Sequence, residues 1–238
     1  MKFLLSAFAL ALLTIQVIPA RADAPPQKTF AAPNNMQISI EEIGPVTQTT
    51  DLQIICIFKH NASTGDQYIE AMQDFNSKQG NFLSAIRDRG EFAGELGETF
   101  LYTPPAGSIT PKRVLLIGVG DKSSVTIDAL RLAGRIAVRE AVRLGVTNVS
   151  FAPTFRDQGS DVIDVGEGDA ATVEQVILAY DTEMKLQAQK LAPAFNISNW
   201  TIEAGPKYFD GAVAKVGAIV SIAADELKQR NSSPYVKS

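Results

Sequence analysis

The chain has 238 residues, 45% of them apolar and 20% charged, with a formal charge of −4. That composition excludes a disordered chain, and the acidity argues against a nucleic-acid binder. A single cysteine, Cys56, excludes an intramolecular disulfide, and a single histidine, His60, excludes any site with two His ligands, the HExxH zinc motif included.

The N-terminus reads as a secretory signal peptide. Lys2 supplies a positive n-region, Phe3 to Ile18 is almost entirely apolar, and Ala20-Arg21-Ala22 fits a small-x-small cleavage site. The apolar run is shorter than the roughly 20 residues of a spanning helix. Residues 1–22 are therefore expected to be removed by a cut after Ala22 or Ala24. That leaves an exported chain, periplasmic or secreted, with no stable membrane anchor. Residues 23–35 hold three prolines and read as a flexible lead-in.

Met36 to Ile40 alternates apolar and polar residues, the pattern of an outer strand with one solvated face. Leu52 to Phe58 reads as a more buried strand. It contains Cys56, which is expected to be a buried, inert thiol. A polar loop from His60 to Asp66 precedes two short helices, one around Tyr68, Met72 and Phe75, the other around Phe82, Leu83 and Ile86. Glu98 to Tyr102 reads as a strand. Its short connection to the next strand predicts an antiparallel pair and a mixed sheet.

Lys112–Asp121, KRVLLIGVGD, is the clearest signal. Its unbroken apolar run predicts a central strand buried on both faces. Gly118 and Gly120 then allow a sharp turn or a close approach. A helix follows from Thr126 to Leu144, with Gly134 and Ala137 placed to lie close to a sheet and Gly145 to end it. Val149 to Ala152 is a short strand, and Arg156 to Asp169 an exposed acidic loop. Thr172 to Leu191 is a helix, Asn199 to Glu203 a last strand, and Gly211 to about Arg230 a last helix. About six strands and five helices in alternating order predict a three-layer α/β domain.

Four constellations could carry chemistry. Gly118, Gly120, Asp121, Lys122, Ser123 and Ser124 form a glycine turn that could bind a phosphate on backbone N–H groups. Ser123 stands where the dinucleotide fingerprint requires a third glycine, so a plain structural turn is the competing reading. Arg131, Arg135, Arg139 and Arg143 share one helix face and form either an anion-binding stripe or a solvated surface. Asp157, Asp161, Asp164, Glu167 and Asp169 are dense in carboxylates but lack the EF-hand spacing. Cys56 and His60 are four residues apart with no orienting partner in view. There is no Gly-x-Ser-x-Gly elbow, and no catalytic residue, metal ligand or cofactor is assigned. Five Asn-x-Ser/Thr sites, the first at Asn61, matter only in a eukaryotic secretory pathway.

One resemblance adds to this reading. Gly80-Asn-Phe-Leu-Ser, then Gly90-Glu-Phe-Ala-Gly94-Glu-Leu-Gly97, the strand Arg113 to Gly120, Leu130-Arg-Leu-Ala-Gly134 and Leu144-Gly-Val are similar, in order and spacing, to the N-terminal domain of the leucyl aminopeptidase family. Val173 to Tyr180 resembles a helix near that domain's end. Leu227 to Pro234 resembles the linker that opens the catalytic domain. The resemblance implies a macrodomain-like α/β fold with a mixed central sheet flanked by helices over residues 36–205, followed by a helix and polar tail over 206–238. The family's metal ligands and its NTDAEGR motif lie in the catalytic domain and have no counterpart here. The resemblance therefore implies no catalytic residue in this chain. The expected role is a non-catalytic binding or assembly domain. Its expected partner is a second copy or a separately encoded aminopeptidase chain, because Val213, Val216, Ile219, Val220 and Ile222 make the last helix apolar around much of its circumference. The alternative is a nucleotide or ADP-ribose-like ligand at the glycine turn.

Overall fold

A computed structural model describes residues 24–231. Residues 1–22, read above as a signal peptide, and the end of the polar tail lie outside the described residues. Seven strands form one sheet: β1 (Gln27–Ala31), β2 (Gln37–Glu41), β3 (Leu52–Ile57), β4 (Thr99–Tyr102), β5 (Val114–Gly118), β6 (Asn148–Ala152) and β7 (Asn199–Glu203). Their order across the sheet is β1-β2-β7-β6-β3-β5-β4. The five inner strands are parallel. Both edge strands are antiparallel to their neighbours, as expected for β4 and β5.

Five α-helices flank the sheet: α1 (Glu70–Lys78), α2 (Phe82–Asp88), α3 (Ile127–Leu144), α4 (Val165–Ala188) and α5 (Phe209–Asn231). The parity of the strands divides them. Ile54, Cys56, Leu115, Ile117, Phe151 and Trp200 face one side and pack with α3, α4 and α5. Ile55, Ile57, Val114 and Leu116 face the other side and meet Met72 and Phe75 of α1 and Leu83 and Ile86 of α2. Burying both faces of β3 and β5 explains their unbroken apolar runs.

Several sequence expectations need correction. β1 lies inside the segment read as a flexible lead-in. β2 is therefore not an outer strand with a wet face, because it sits between β1 and β7. Its Ile38 and Ile40 are fully buried on one side, and its Ser39 is buried on the other. β5 is buried on both faces, yet it is next to the edge, and β6 is the middle strand. Gly134 lies against α4 rather than the sheet. A side chain there would press on the Thr172 carbonyl oxygen at 2.8 Å. The acidic segment is not all loop. Asp164 caps α4 by accepting from the Glu167 N–H, and Asp169 is fully buried one turn later.

The half of the sheet that α1 and α2 leave uncovered carries a row of polar side chains. Thr29, Ser39, Thr201, Ser150 and Gln53 stand in register across five strands. Residues 42–51 must return from the end of β2 to the start of β3, and they run back along this face without a helix. Gln48 donates to Glu41 at 3.1 Å, Thr50 donates to the Asn148 carbonyl at 2.9 Å, and Val46 reaches the α1–α2 core. Within the row Thr29 and Ser39 share a hydrogen bond and Ser150 donates to Glu203, so this polar face is covered by a polar crossover where α1 and α2 do not reach.

The two turn glycines serve packing. The Gly118 N–H donates to the Glu98 carbonyl, and the Gly120 N–H to that of Gly94. A side chain on Gly118 would overlap the Glu95 carbonyl oxygen. Gly120 sits at φ +78°, a conformation that costs a non-glycine residue about 1–2 kcal/mol. Gly118→Ala is therefore expected to lose about 3 kcal/mol in urea unfolding. Ser124→Ala, on the exposed side of the same turn, should stay within about 0.5 kcal/mol of wild type.

Candidate functional site

The ends of the parallel strands meet at one edge of the sheet, where ligands of open α/β folds bind. Two hollows open there. The first is a polar groove of about 920 Å³ beside the loops after β3 and β5. Of the six residues singled out in the glycine turn, Asp121, Lys122 and Ser123 line this groove. Gly118, Gly120 and Ser124 do not. The glycine N–H groups are committed to backbone carbonyls, and Lys122 Nζ donates to the Gln158 carbonyl at 2.9 Å.

The groove also holds a network that the sequence did not reveal. His60 Nδ1 and Asp66 Oδ2 are 2.9 Å apart, and Tyr68 Oη donates to the same oxygen at 3.2 Å. Arg87, buried against the loop, pairs with both Asp66 oxygens and donates to the Phe58 carbonyl at 2.7 Å. Burial would raise the Asp66 carboxyl, but Arg87 and His60 outweigh it and hold the group below its ordinary value. Arg87 belongs to α2, twenty-one residues from Asp66, so only the folded chain unites them. Cys56 points into the α3–α4 core. Desolvation first, and then the nearby Asp169, push its thiol far up. Cys56 and His60 make no pair.

The second hollow is a cavity of about 670 Å³ over the ends of β2, β7 and β6. Ile43, Leu130, Phe155 and Ile163 supply apolar wall, and Glu70, Asp157 and Glu203 supply carboxyls. Glu203 is the last residue of β7 and is 7% exposed. Ser150 Oγ donates to its Oε1 at 2.7 Å. Desolvation raises this group to about 8, against the pull of Ser150 and Gln53. Asp157 follows β6 and is raised to about 6 by burial and by neighbouring Glu70. Both shifts come from charge held in apolar surroundings without a cation beside it.

The other sequence candidates disperse. Arg131 pairs with Asp128 and Glu174, Arg139 with Glu183 and Arg143 with Glu140, while Arg135 bonds Gln175. Three of the four arginines thus face a carboxylate, and the fourth is held by an amide. The carboxylates of 157–169 do not converge. Asp157 lines the cavity, Asp161 the groove, Asp164 caps α4, Glu167 reaches Lys215 at 3.6 Å, and Asp169 enters the core without a hydrogen-bond partner. Burial and then Asp164 raise the Asp169 carboxyl well above its usual range. The last helix is largely covered: Val216 and Val220 are buried, Val213 and Ile219 pack on the core, and Ile222 is 57% exposed.

Residues 54–188 match the family model described as the cytosol aminopeptidase family, N-terminal domain. A probable cytosol aminopeptidase of Pseudomonas syringae pv. tomato is 29% identical over 102 residues, covering 42% of this chain and 19% of its own length. One from Halorhodospira halophila is 24% identical over 148 residues, covering 62% of this chain and 28% of its own. The chain thus matches between 19% and 28% of the length of these relatives. Among solved structures, a tomato leucine aminopeptidase mutant superposes with a TM-score of 0.56 at 18% identity over 87% of this chain and 38% of that one. The Oceanobacillus iheyensis macrodomain with ADP gives 0.62 at 11% identity over 84% of this chain and all of that one. At these identities the superpositions establish the fold, a macrodomain-like α/β architecture.

The buried carboxyls predict how stability varies with pH. Glu203 keeps its proton in the folded state up to about 8, whereas the unfolded group loses it near its ordinary 4.5. The folded state then binds more protons, so stability is full below pH 4.5 and falls as pH rises toward 8. A shift of this size is worth on the order of 5 kcal/mol. Glu203→Gln should flatten the fall in melting temperature between pH 5 and 8. An unchanged slope would place the titration elsewhere.

Proposed function

Because the chain belongs to the cytosol aminopeptidase family through that family's N-terminal domain, we propose that it is an exported, non-catalytic binding domain whose ligand enters the cavity over the ends of β2, β7 and β6. One observation carries this reading. The cavity combines an apolar wall with two perturbed carboxyls, Asp157 and Glu203, at the ligand-binding edge of a parallel sheet. Its volume suits a small organic molecule. The signal-peptide pattern of residues 1–22 supports export. The match of residues 54–188 to the family's N-terminal domain supports a binding role.

The ADP named for the Oceanobacillus macrodomain is a less fitting ligand for this cavity, because carboxyls outnumber cations on its lining and repel phosphates. The glycine turn is no better supported, with both glycine N–H groups already bonded. Partnership with a second copy or an aminopeptidase chain is less supported than ligand binding, because α5 spends most of its apolar face on the core.

Thermal-shift screening of small organic compounds tests this reading. Thr47 is exposed at the rim of the cavity, so Thr47→Trp should obstruct entry without disturbing the core. Stabilising compounds are expected to lose their effect in that variant. Hits indifferent to Thr47→Trp would move the site elsewhere. Purified protein should release no amine from leucyl-p-nitroanilide with added manganese or zinc. Metal-dependent hydrolysis would overturn the non-catalytic reading. The mass of the chain recovered from outside the cytoplasm should correspond to a start at Asp23 or Pro25, and an intact Met1 would contradict export.

A further inference from the structure

The charge of the cavity narrows what it can hold. Five carboxyl residues line it, Glu42, Glu70, Asp157, Asp164 and Glu203, and one cation, Arg156. Among the described residues none of these five carboxyls is in an ion pair, although fourteen such pairs occur elsewhere. Arg156 does not neutralise them. Its Nη1 and Nη2 donate to the Ser160 and Ile163 carbonyls at 3.2 and 3.0 Å, and its guanidinium lies over the Tyr208 ring.

A second observation is independent of that count. Glu203 is 7% exposed and lines the cavity, and its Oε2 has no hydrogen-bond partner. A buried carboxyl oxygen left unpaired is costly, and an ammonium head beside it would favour the ionised carboxylate and give that oxygen a donor. The Ile69 N–H donates to the Asp157 carbonyl at 2.8 Å, which sets Glu70 beside Asp157 on the cavity wall, and a cation between these like charges would replace repulsion with attraction. The remaining wall is apolar. An occupant that satisfies these surroundings has an apolar body and a positively charged, donating head.

We infer that the cavity binds an organic ammonium compound, with its charged head between Glu70 and Asp157 and its apolar body along Phe155 and Ile163. The inference rests on the cavity reading above and specifies its ligand class. A metal ion is a weaker candidate, because among the described residues no three His, Cys, Asp or Glu side chains are gathered to hold one. An anion is weaker too. Arg156 Nε is buried without a partner, however, which makes a carboxylate the fair competitor.

The test uses three probes of one length, n-hexylammonium, hexanol and hexanoate, titrated calorimetrically into the whole purified chain at pH 7.5. Hexylammonium is expected to bind at least tenfold more tightly than hexanol, and hexanoate more weakly than either. Asp157→Asn and Glu70→Gln should each reduce that preference several-fold and leave hexanol binding unchanged. Equal binding of hexylammonium and hexanol, or tighter binding of hexanoate, would overturn the cation while leaving the cavity as a ligand site. Displacement of hexylammonium by millimolar calcium or manganese would replace the organic cation with a metal. If no probe binds, both the cation and the cavity reading fall.

Discussion

The direction in which the chain crosses its own sheet governs the rest of the structure. From β3 it passes through α1, α2 and β4 to β5 on one side, then returns through α3 to β6 on the other. The loops after β3 and β6 must therefore diverge, and parallel pairing places both at the same edge. A crevice at that edge follows from connectivity before any side chain is considered. The side chains decide its character. Near β3 and β5 the loops are polar, the Lys59 N–H joins them by donating to the Gly120 carbonyl, and Asp66 ties the β3 loop to Arg87 of α2. Near β7 and β6 the wall is apolar, and carboxyls are left without cations.

The same connectivity explains two features that look unrelated. Ten residues, 42–51, must carry the chain back beneath β7 and β6, too few for a covering helix. The sheet answers with a polar face there, and Glu41, Gln48 and Thr50 tie the crossover down. At the other side, β5 and the 93–98 loop approach so closely that only glycine fits at 118. The glycine turn is thus a packing joint whose donors are already used. A glycine-ended strand reads the same in sequence whether its N–H groups face a phosphate or a carbonyl.

Strands and helices with unbroken or periodic apolar patterns were legible in the sequence, because burial on defined faces writes that pattern. β3, β5, β6, β7 and the helix ending at Gly145 follow from it. The resemblance to the aminopeptidase N-terminal domain was legible too, and the family match agrees with it. β1 was not legible. Gln27–Ala31 is short, sits among prolines and is mostly exposed, so neither composition nor period marks it. Missing β1 in turn made β2 look like an edge. The acidic stretch misled for another reason. Asp and Gly signal loops on average, yet Gly166 and Gly168 let α4 pack closely and draw Asp169 inside. The cavity was the least legible feature. Glu70, Asp157 and Glu203 are separated by long stretches of chain, and only Glu203, a carboxyl closing a buried parallel strand, carried a signal that could have been noticed.

The central claim is that the cavity over β2, β7 and β6 is where this domain holds a ligand. A fragment soak of crystals of the purified chain tests it most directly. The account predicts ordered fragment density bounded by Asp157, Glu203 and Phe155, with amine-bearing fragments over-represented. Fragments gathered at the glycine turn or the His60 groove, with the cavity filled by its own side chains, would contradict it.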